Sequence, residues 1–288
     1  MNKNDKVKEQ LLTADIASAV NSILRIISTV NIYIFHCNSQ YNIESKDSLF
    51  YAFTFFLFIS GYYSFFQGKS PNQWIIKRLK RIYIPYWIVI IGAIVANYIF
   101  QYKNIGIKEF FFAVSGGNLF IEHKIYVIAW FISVIICLYI CVYIYKTIKN
   151  IALKSTVIYL IVLILLKFNI PYSFFISFSL GYFIHSYIFR KKIEYKKITD
   201  NSAFINAFIL IFRPLFFIQN YSYEFFLVHG GIILFFTNVL HSSYTTSMLG
   251  GIIFSFFGAI VLKFFTRKID LFFRKDVADS KSTLNVTS

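Results

Sequence analysis

The chain has 288 residues, of which 57% are hydrophobic, 21% aromatic and only 15% charged. Soluble domains average about half apolar and about a quarter charged residues, so this composition excludes disorder and a soluble globular fold. Three cysteines are too few for a disulfide scaffold. The formal charge of +16 would indicate nucleic-acid binding in a soluble protein, but in a membrane protein the positions of the basic residues matter more than their number.

Eight apolar segments are candidates for membrane spans, which need roughly 20 apolar residues each. In chain order they cover about 16–37, 48–66, 82–102, 125–145, 152–166, 168–189, 221–240 and 243–262. A further apolar run over 201–220 is interrupted by Arg213-Pro214, and we interpret it as a cytoplasmic or interfacial helix. The sequence therefore predicts an all-α integral membrane protein, a polytopic helical bundle of about eight transmembrane helices, or nine if 201–220 spans.

Basic residues are distributed unequally between alternate loops. One set of loops, together with both ends of the chain, holds 22 of the 29 Lys and Arg, whereas the other set holds five. Cytoplasmic loops carry the excess of Lys and Arg, so both termini are predicted to be cytoplasmic. We expect one membrane-embedded domain over 1–288, with a cytoplasmic N-terminal tail at 1–15 and a cytoplasmic C-terminal tail at 268–288.

Ionisable residues inside apolar spans are costly and are candidates for function. Apart from Lys154, which is near one end of its span, the predicted spans contain Arg25, His36, His185, Glu224 and His229. Arg25 and His36 are eleven residues apart, which on a helix is about three turns plus 20° and about 16 Å of rise. They are therefore predicted to lie on one stripe of the first helix. The alternative, in which the arginine extends to the headgroups and the histidine bonds locally, stays open.

Five short stretches share the order and spacing of one set of motifs. They are Arg25 with His36 (Arg-x10-His), Phe55–Tyr62 (FF-x-x-SG-[FY]), Lys77–Trp87 (a basic loop running into R-I-x-x-P-Y), Ala129–Ile132 (W-[FY]-[IL]) and Ser222–His229 (S-Y-x-x-Y-L-x-H, with Phe226 for the second tyrosine). Together they resemble the acyltransferase-3 family, integral-membrane O-acyltransferases that modify bacterial cell-surface glycans. That family usually has about ten spans, so the chain resembles a shortened member.

The resemblance implies a membrane-bound O-acyltransferase, above all an O-acetyltransferase. Its co-substrate would be acetyl-CoA or another acyl-CoA, and its acceptor a sugar hydroxyl of a surface polysaccharide or of a lipid-linked precursor. His36 would be the catalytic base, because a histidine can accept a proton at neutral pH. Arg25 would hold a phosphate or an acidic partner, since its planar fork fits both.

The basic loop of the third motif is the candidate site for acyl-CoA. The resemblance implies that Lys77, Arg78 and Arg81 grip the phosphates of coenzyme A, the arginines in a bidentate manner. The same residues also act as a topology signal and attract anionic lipids, by about 1 kcal/mol per cation.

His229 is the second histidine among the catalytic candidates. It lies about eight residues, or roughly 12 Å, into its predicted helix, a depth comparable with that of His36. The glycines after it, Gly230-Gly231, would let a neighbouring helix or a ligand approach closely. Glu224 is a candidate orienting acid for a histidine, but the sequence equally allows it to pair with Arg25 or Arg213.

Expected partners follow from this interpretation: acyl-CoA, a glycan or lipid-linked sugar, and membrane lipids, but no nucleic acid. No zinc-binding spacing or Gly-rich phosphate loop is present, so we expect no metal. The location implied is the bacterial plasma (inner) membrane, crossed several times.

Three other functions compete with acyl transfer. A lipid-linked glycan flippase or other transporter usually has more helices and internal repeats, and this chain has no repeat. A glycan polymerase would be expected to have a large outer loop with several arginines, whereas the predicted outer loops have none. The third alternative is a non-catalytic family member that serves as a partner protein.

Overall fold

The computed structural model describes residues 3–44, 51–64, 70–101, 105–121, 125–191 and 217–284, and throughout these residues the only regular secondary structure is helical. The helices, in chain order, are α1 (Lys3–Gln40), α2 (Ala52–Tyr62), α3 (Pro71–Phe100), α4 (Ile107–Ser115), α5 (Trp130–Thr147), α6 (Ile151–Lys167), α7 (Tyr172–Lys191), α8 (Ser222–Leu234) and α9 (Tyr244–Leu284). The all-α fold class is therefore confirmed for the described part of the chain.

Five segments of the described chain are long and apolar enough to cross a membrane. They are Val20–Gln40, Pro71–Phe100, Trp130–Thr147, Ser222–Val239 and Tyr244–Phe272. Each overlaps one of the eight predicted spans. The protein is thus a membrane protein with several spanning helices, while the full count of eight or nine and the cytoplasmic termini stay predictions.

The other three predicted spans also coincide with helices. α2 has 11 described residues and α6 has 17, both shorter than a typical span. α7 has 20 residues, but serines and a histidine interrupt its apolar sequence. The predicted interfacial helix at 201–220 lies mostly outside the described residues.

Helix boundaries follow local capping chemistry. The Ser70 side chain accepts a hydrogen bond from the Gln73 amide at 3.3 Å, and Pro71 occupies the first helical position of α3. Asn150 caps α6 in the same way, accepting from the Leu153 amide at 3.0 Å. These caps separate α3 from the residues before it and α6 from α5.

The chain divides into two compact units, each described here by itself. Unit 1 comprises Met1–Lys69 with Ile144–Ser222, and unit 2 comprises Ser70–Tyr143 with Tyr223–Ser288. Unit 1 contains α1, α2, α6 and α7, and unit 2 contains α3, α4, α8 and α9. Whether the whole chain acts as one domain stays a prediction.

In unit 1, α2 and α7 pack backbone to backbone through two glycines. A Cβ atom built on Gly61 would lie 2.0 Å from the carbonyl oxygen of Phe178, and one built on Gly181 would lie 2.0 Å from that of Phe58. From Phe58 to Gly61 along α2, the facing residues of α7 run backwards from Gly181 to Phe178, so the two helices are antiparallel. Small residues allow this approach in a membrane, where close van der Waals packing drives helix association.

In unit 2, the end of α4 is bonded to side chains from the middle of α3. Four successive carbonyls at the C-terminal end of α4 each accept a side-chain hydrogen bond. The pairs are Tyr86 with Ala113, Trp87 with Val114 at 3.0 Å, Tyr83 with Ser115 at 2.6 Å, and Ser133 of α5 with Gly116 at 2.5 Å. Carbonyls at a helix end have no intrahelical partner, and these donors supply one.

The loop between the predicted spans 82–102 and 125–145, roughly 103–124, is thus more than a connection. Asn118, in the turn after α4, is completely buried and donates a hydrogen bond to the Tyr86 hydroxyl at 2.7 Å. Since α3 continues 14 residues beyond Tyr86, or about 20 Å, the described part of this loop folds back alongside α3. Irregular backbone at membrane depth is tolerated where protein encloses it, and the buried turn satisfies that condition.

Candidate functional site

Arg25 and His36 lie on one face of the continuous helix α1. The Arg25 guanidinium lies over the Tyr63 ring, 5.8 Å from its centroid. The His36 ring meets the Phe53 ring edge-on, with centroids 6.1 Å apart. Tyr63 follows the last residue of α2 and Phe53 is near its start, so both α1 side chains face α2. The prediction that they share a stripe is confirmed.

The surroundings of His36 in unit 1 are aromatic. Its ring contacts Phe35 edge-on at 5.4 Å, and Phe53 in turn packs against Phe174 of α7 at 6.2 Å. Phe53 and Phe174 are completely buried, whereas His36 is half-buried. The rings therefore hold the imidazole at the edge of the unit 1 core, where its Nε2 atom is buried.

The basic segment predicted to bind acyl-CoA lies in the first turns of α3. The Arg78 guanidinium carbon lies 5.8 Å from the Trp74 centroid and 5.6 Å from that of Tyr139 on α5, and these two rings meet edge to face with centroids 5.8 Å apart. Aromatic rings at these distances attract the cation, and a guanidinium has five N–H donors with which to bond other groups. Lys77 and Arg81 are exposed. Arg78 is thus the most firmly placed of the three.

Glu224 has an ion-pair partner that the sequence did not indicate. Its Oε2 atom lies 4.0 Å from the Lys263 Nζ atom of α9, and both side chains are largely buried. Arg81 and Arg267 also interact electrostatically with this carboxylate. Of the alternatives left open by the sequence, Arg213 lies outside the described residues. Lys263 could have been found from sequence as the first charge after the apolar run 243–262.

His229 is buried in α8 with a fixed hydrogen bond. Its Nδ1 atom lies 3.2 Å from the Phe225 carbonyl oxygen, one turn earlier. Because a carbonyl can only accept, Nδ1 carries the hydrogen in the neutral ring, and Nε2 is the nitrogen with the lone pair. The ring is stacked on Phe225 and tilted against Phe226, with centroids 5.9 and 5.6 Å away. This tautomer can accept a proton at Nε2.

The close approach predicted at Gly230 is confirmed. A Cβ atom on Gly230 would lie 1.9 Å from the Ile128 Cδ1 atom and 3.1 Å from the Tyr126 hydroxyl. The neighbour is the segment before α5, which the sequence did not indicate. Nothing in the pattern around Tyr126 marks it, because its contacts with α8 join residues about 100 positions apart.

The described residues offer no obvious metal centre. Within them, no group of three or more His, Cys, Asp and Glu side chains is placed to hold an ion. The candidates instead form two sets, Arg25 with His36 in unit 1, and the α3 cations with Glu224 and His229 in unit 2.

Comparison with known proteins gives one match. The family model named Acyl_transf_3, described as an acyltransferase domain, matches residues 22–211, which is about two thirds of the chain. The matched region includes the Arg-x10-His pair and the basic segment of α3, and it ends before α8. Neither a curated protein nor a solved structure matches the chain.

Proposed function

Because the chain belongs to the acyltransferase-3 family, we propose that it is a membrane-bound O-acyltransferase that transfers an acetyl group from acetyl-CoA. The acceptor is a sugar hydroxyl of a surface polysaccharide or of its lipid-linked precursor, and the enzyme works in the bacterial plasma membrane. The observation that carries the proposal is the placement of Arg25 and His36 on the α2-facing side of one helix, at the spacing of the family motif.

His36 serves as the base in this proposal. It takes the proton of the sugar hydroxyl as the oxygen attacks the thioester carbonyl carbon. The tetrahedral intermediate then collapses, the carbon–sulfur bond breaks, and the leaving thiolate of coenzyme A takes up the proton from the imidazolium. The products are an acetyl ester and free coenzyme A, so no oxidant or metal is needed. A positioned base typically contributes about 100- to 10,000-fold to the rate.

Arg25 lies about 16 Å from His36 along the same helix. At that separation it does not touch the atoms that react with His36, so its proposed task is to hold a phosphate or an acidic partner. Tyr63 supports the arginine from one side, and a guanidinium stacked on a ring retains its in-plane donors.

Arg78 is the proposed centre of the coenzyme A grip. Trp74 and Tyr139 hold its guanidinium, so less conformational freedom is lost when it binds a phosphate than for a lysine. Exposed Lys77 and Arg81 on the same helix add positive charge. His229 is proposed as a second catalytic histidine, because its hydrogen bond to Phe225 directs the proton-accepting lone pair to Nε2.

The test is mass spectrometry of the surface glycan from cells that carry the wild type, His36→Ala, Arg78→Ala or Lys80→Ala. Lys80 is the matched control, an exposed cation two residues from Arg78. We expect glycan of normal length without the acetyl mass for His36→Ala, a strong reduction of that mass for Arg78→Ala, and no change for Lys80→Ala. Full acetylation in His36→Ala would overturn the assignment of the base. Loss of the entire glycan would favour transport or polymerisation.

A second measurement separates binding from chemistry. Purified enzyme in proteoliposomes is given radiolabelled acetyl-CoA and polysaccharide from cells that lack the gene. Arg78→Lys keeps the charge but loses the planar fork of donors, so KM for acetyl-CoA should rise about tenfold with kcat nearly unchanged, which corresponds to roughly 1.4 kcal/mol. An unchanged KM would exclude Arg78 from the grip.

A further inference from the structure

The hydroxyl of Tyr126 is bonded to the turn of α8 that carries His229. It donates a hydrogen bond to the Leu227 carbonyl and accepts one from the Gly231 amide at 3.1 Å. Tyr126, Leu227 and His229 are all at least 97% buried. Both hydrogen bonds lie within unit 2, and together they use the hydroxyl as donor and acceptor.

The two backbone groups bonded to this hydroxyl are a carbonyl and an amide that an α-helix pairs with each other. In an α-helix the amide of residue i+4 bonds the carbonyl of residue i, and Leu227 and Gly231 are such a pair. His229 is the middle residue of the three between them. A side-chain hydroxyl bonded to both groups therefore ties the backbone on either side of His229 to a residue outside the helix.

The same segment makes a second contact with this turn. Ile128, two residues after Tyr126, occupies the space in which a side chain on Gly230 would lie, since a Cβ atom there would be 1.9 Å from Cδ1. Tyr126 itself is held by a short turn, in which the Ala129 amide donates to the Tyr126 carbonyl at 3.1 Å. The segment 126–129 thus supports α8 on both sides of His229.

We propose that Tyr126 is a positioning residue that sets the direction of the His229 imidazole for acyl transfer. The inference rests on the proposed catalytic role of His229. The ring is bonded to its own helix through Nδ1 and the Phe225 carbonyl, so its direction follows the backbone of this turn. Tyr126 holds that backbone, and a displacement of about 1 Å at a reacting group can reduce a rate about 100-fold.

The test compares Tyr126→Phe with Tyr83→Phe in proteoliposomes, with acetyl-CoA as donor and unacetylated polysaccharide as acceptor. Each variant removes one tyrosine hydroxyl that bonds a backbone carbonyl in unit 2. Tyr126→Phe should lower kcat about 10- to 100-fold with KM for acetyl-CoA within about twofold of wild type. Tyr83→Phe should leave kcat per folded molecule unchanged. Equal kcat in the two variants would overturn the inference.

A second pair of variants keeps the hydroxyl and covers the case in which Tyr126→Phe does not fold. Gly230→Ala pushes Ile128 and Tyr126 away from α8, whereas Gly258→Ala of α9 meets α8 side chains only at ordinary contact distances of 3.4 Å and more. Gly230→Ala should reproduce the loss in kcat, and Gly258→Ala should not. Activity that is equal in both would also contradict the proposal.

His229→Ala separates this inference from the proposed function. If His229→Ala loses activity while Tyr126→Phe and Gly230→Ala keep it, only the positioning role fails. If His229→Ala is fully active, the catalytic role of His229 fails and the positioning role fails with it. The proposed acyl transfer would then depend on the His36→Ala result alone.

Discussion

Glu224 illustrates how a single carboxylate in a membrane helix finds its counter-charge. The pair with Lys263 joins α8 to α9, and only 11% of the Glu224 side chain is exposed. Removal of one partner leaves the other charge poorly solvated, whereas removal of both leaves none. The contribution of the pair is therefore measured by a double-mutant cycle and not by a single substitution.

We predict that Glu224→Gln and Lys263→Met each lower the melting temperature in detergent and that the double variant recovers most of the loss. A coupling of about 0.5–3 kcal/mol is expected for residues in direct contact. The control is Lys268→Met on the same helix, an exposed lysine that should change little. If Glu224 instead orients a histidine, Glu224→Gln will lower kcat of folded enzyme, and Lys263→Met will not restore it.

For individual side chains, the sequence singles out candidates for function but does not predict most of their contacts. Arg25 and His36 are singled out because charge in an apolar helix is costly and their spacing fits a family motif, and Arg78 because it lies in the basic loop of another motif. The Lys263 and Tyr126 contacts could not be predicted, because they depend on which helix faces pack together. That packing is decided by shape complementarity over long sequence separations.

The packing of α2 against α7 depends on two glycines. Ser60-Gly61 belongs to the second of the five family motifs. The structure adds the reciprocal glycine, Gly181, on α7. Because each glycine faces a backbone carbonyl, which cannot rotate aside as a side chain can, even one methyl group must move an entire helix.

We predict that Gly61→Ala and Gly181→Ala each sharply reduce the yield of folded protein and lower its melting temperature. The matched control is Gly92→Ala on α3, where a Cβ atom would meet nothing within 4 Å. That change should be neutral or should stabilise by about 0.5–1 kcal/mol through helix propensity. Size-exclusion chromatography and thermal melting measure both effects. A Gly61→Ala protein as stable as Gly92→Ala would contradict the backbone contact.

The position of α4 against α3 could not be predicted from the sequence. Hydropathy and turn residues predict a loop over roughly 103–124, and they cannot reveal that Tyr83, Tyr86 and Trp87 bond the end of α4. Those aromatic side chains lie within a family motif and resemble an ordinary interfacial belt. Their hydrogen bonds depend on a chain reversal that leaves no periodic signal.

For the whole molecule, the count of spans depends on α6. Its 17 residues extend about 25 Å, slightly less than the roughly 30 Å hydrocarbon core. Only Leu165 of α6 is buried, so most of its side chains are available to lipid. The distribution of basic residues predicts that α6 crosses the membrane, with Lys149 inside and Lys167 outside.

We predict opposite labelling at the two ends of α6. In a variant without Cys37, Cys137 and Cys141, a membrane-impermeant maleimide applied to intact cells should label Lys167→Cys and not Lys149→Cys. Both positions are exposed, so Lys149→Cys should react once the membrane is permeabilised. Labelling of both ends from the same side would show that α6 does not cross and would change the orientation of every later helix.

The length of α9 limits how much of this helix a bilayer can cover. Its 41 residues extend about 60 Å, about twice the hydrocarbon thickness. Roughly half of this helix must therefore project beyond the acyl chains, where its apolar stretch gives way to lysines, arginines and aspartates. The charged part of the α9 sequence is therefore where substitutions avoid the cost of placing a charge in lipid.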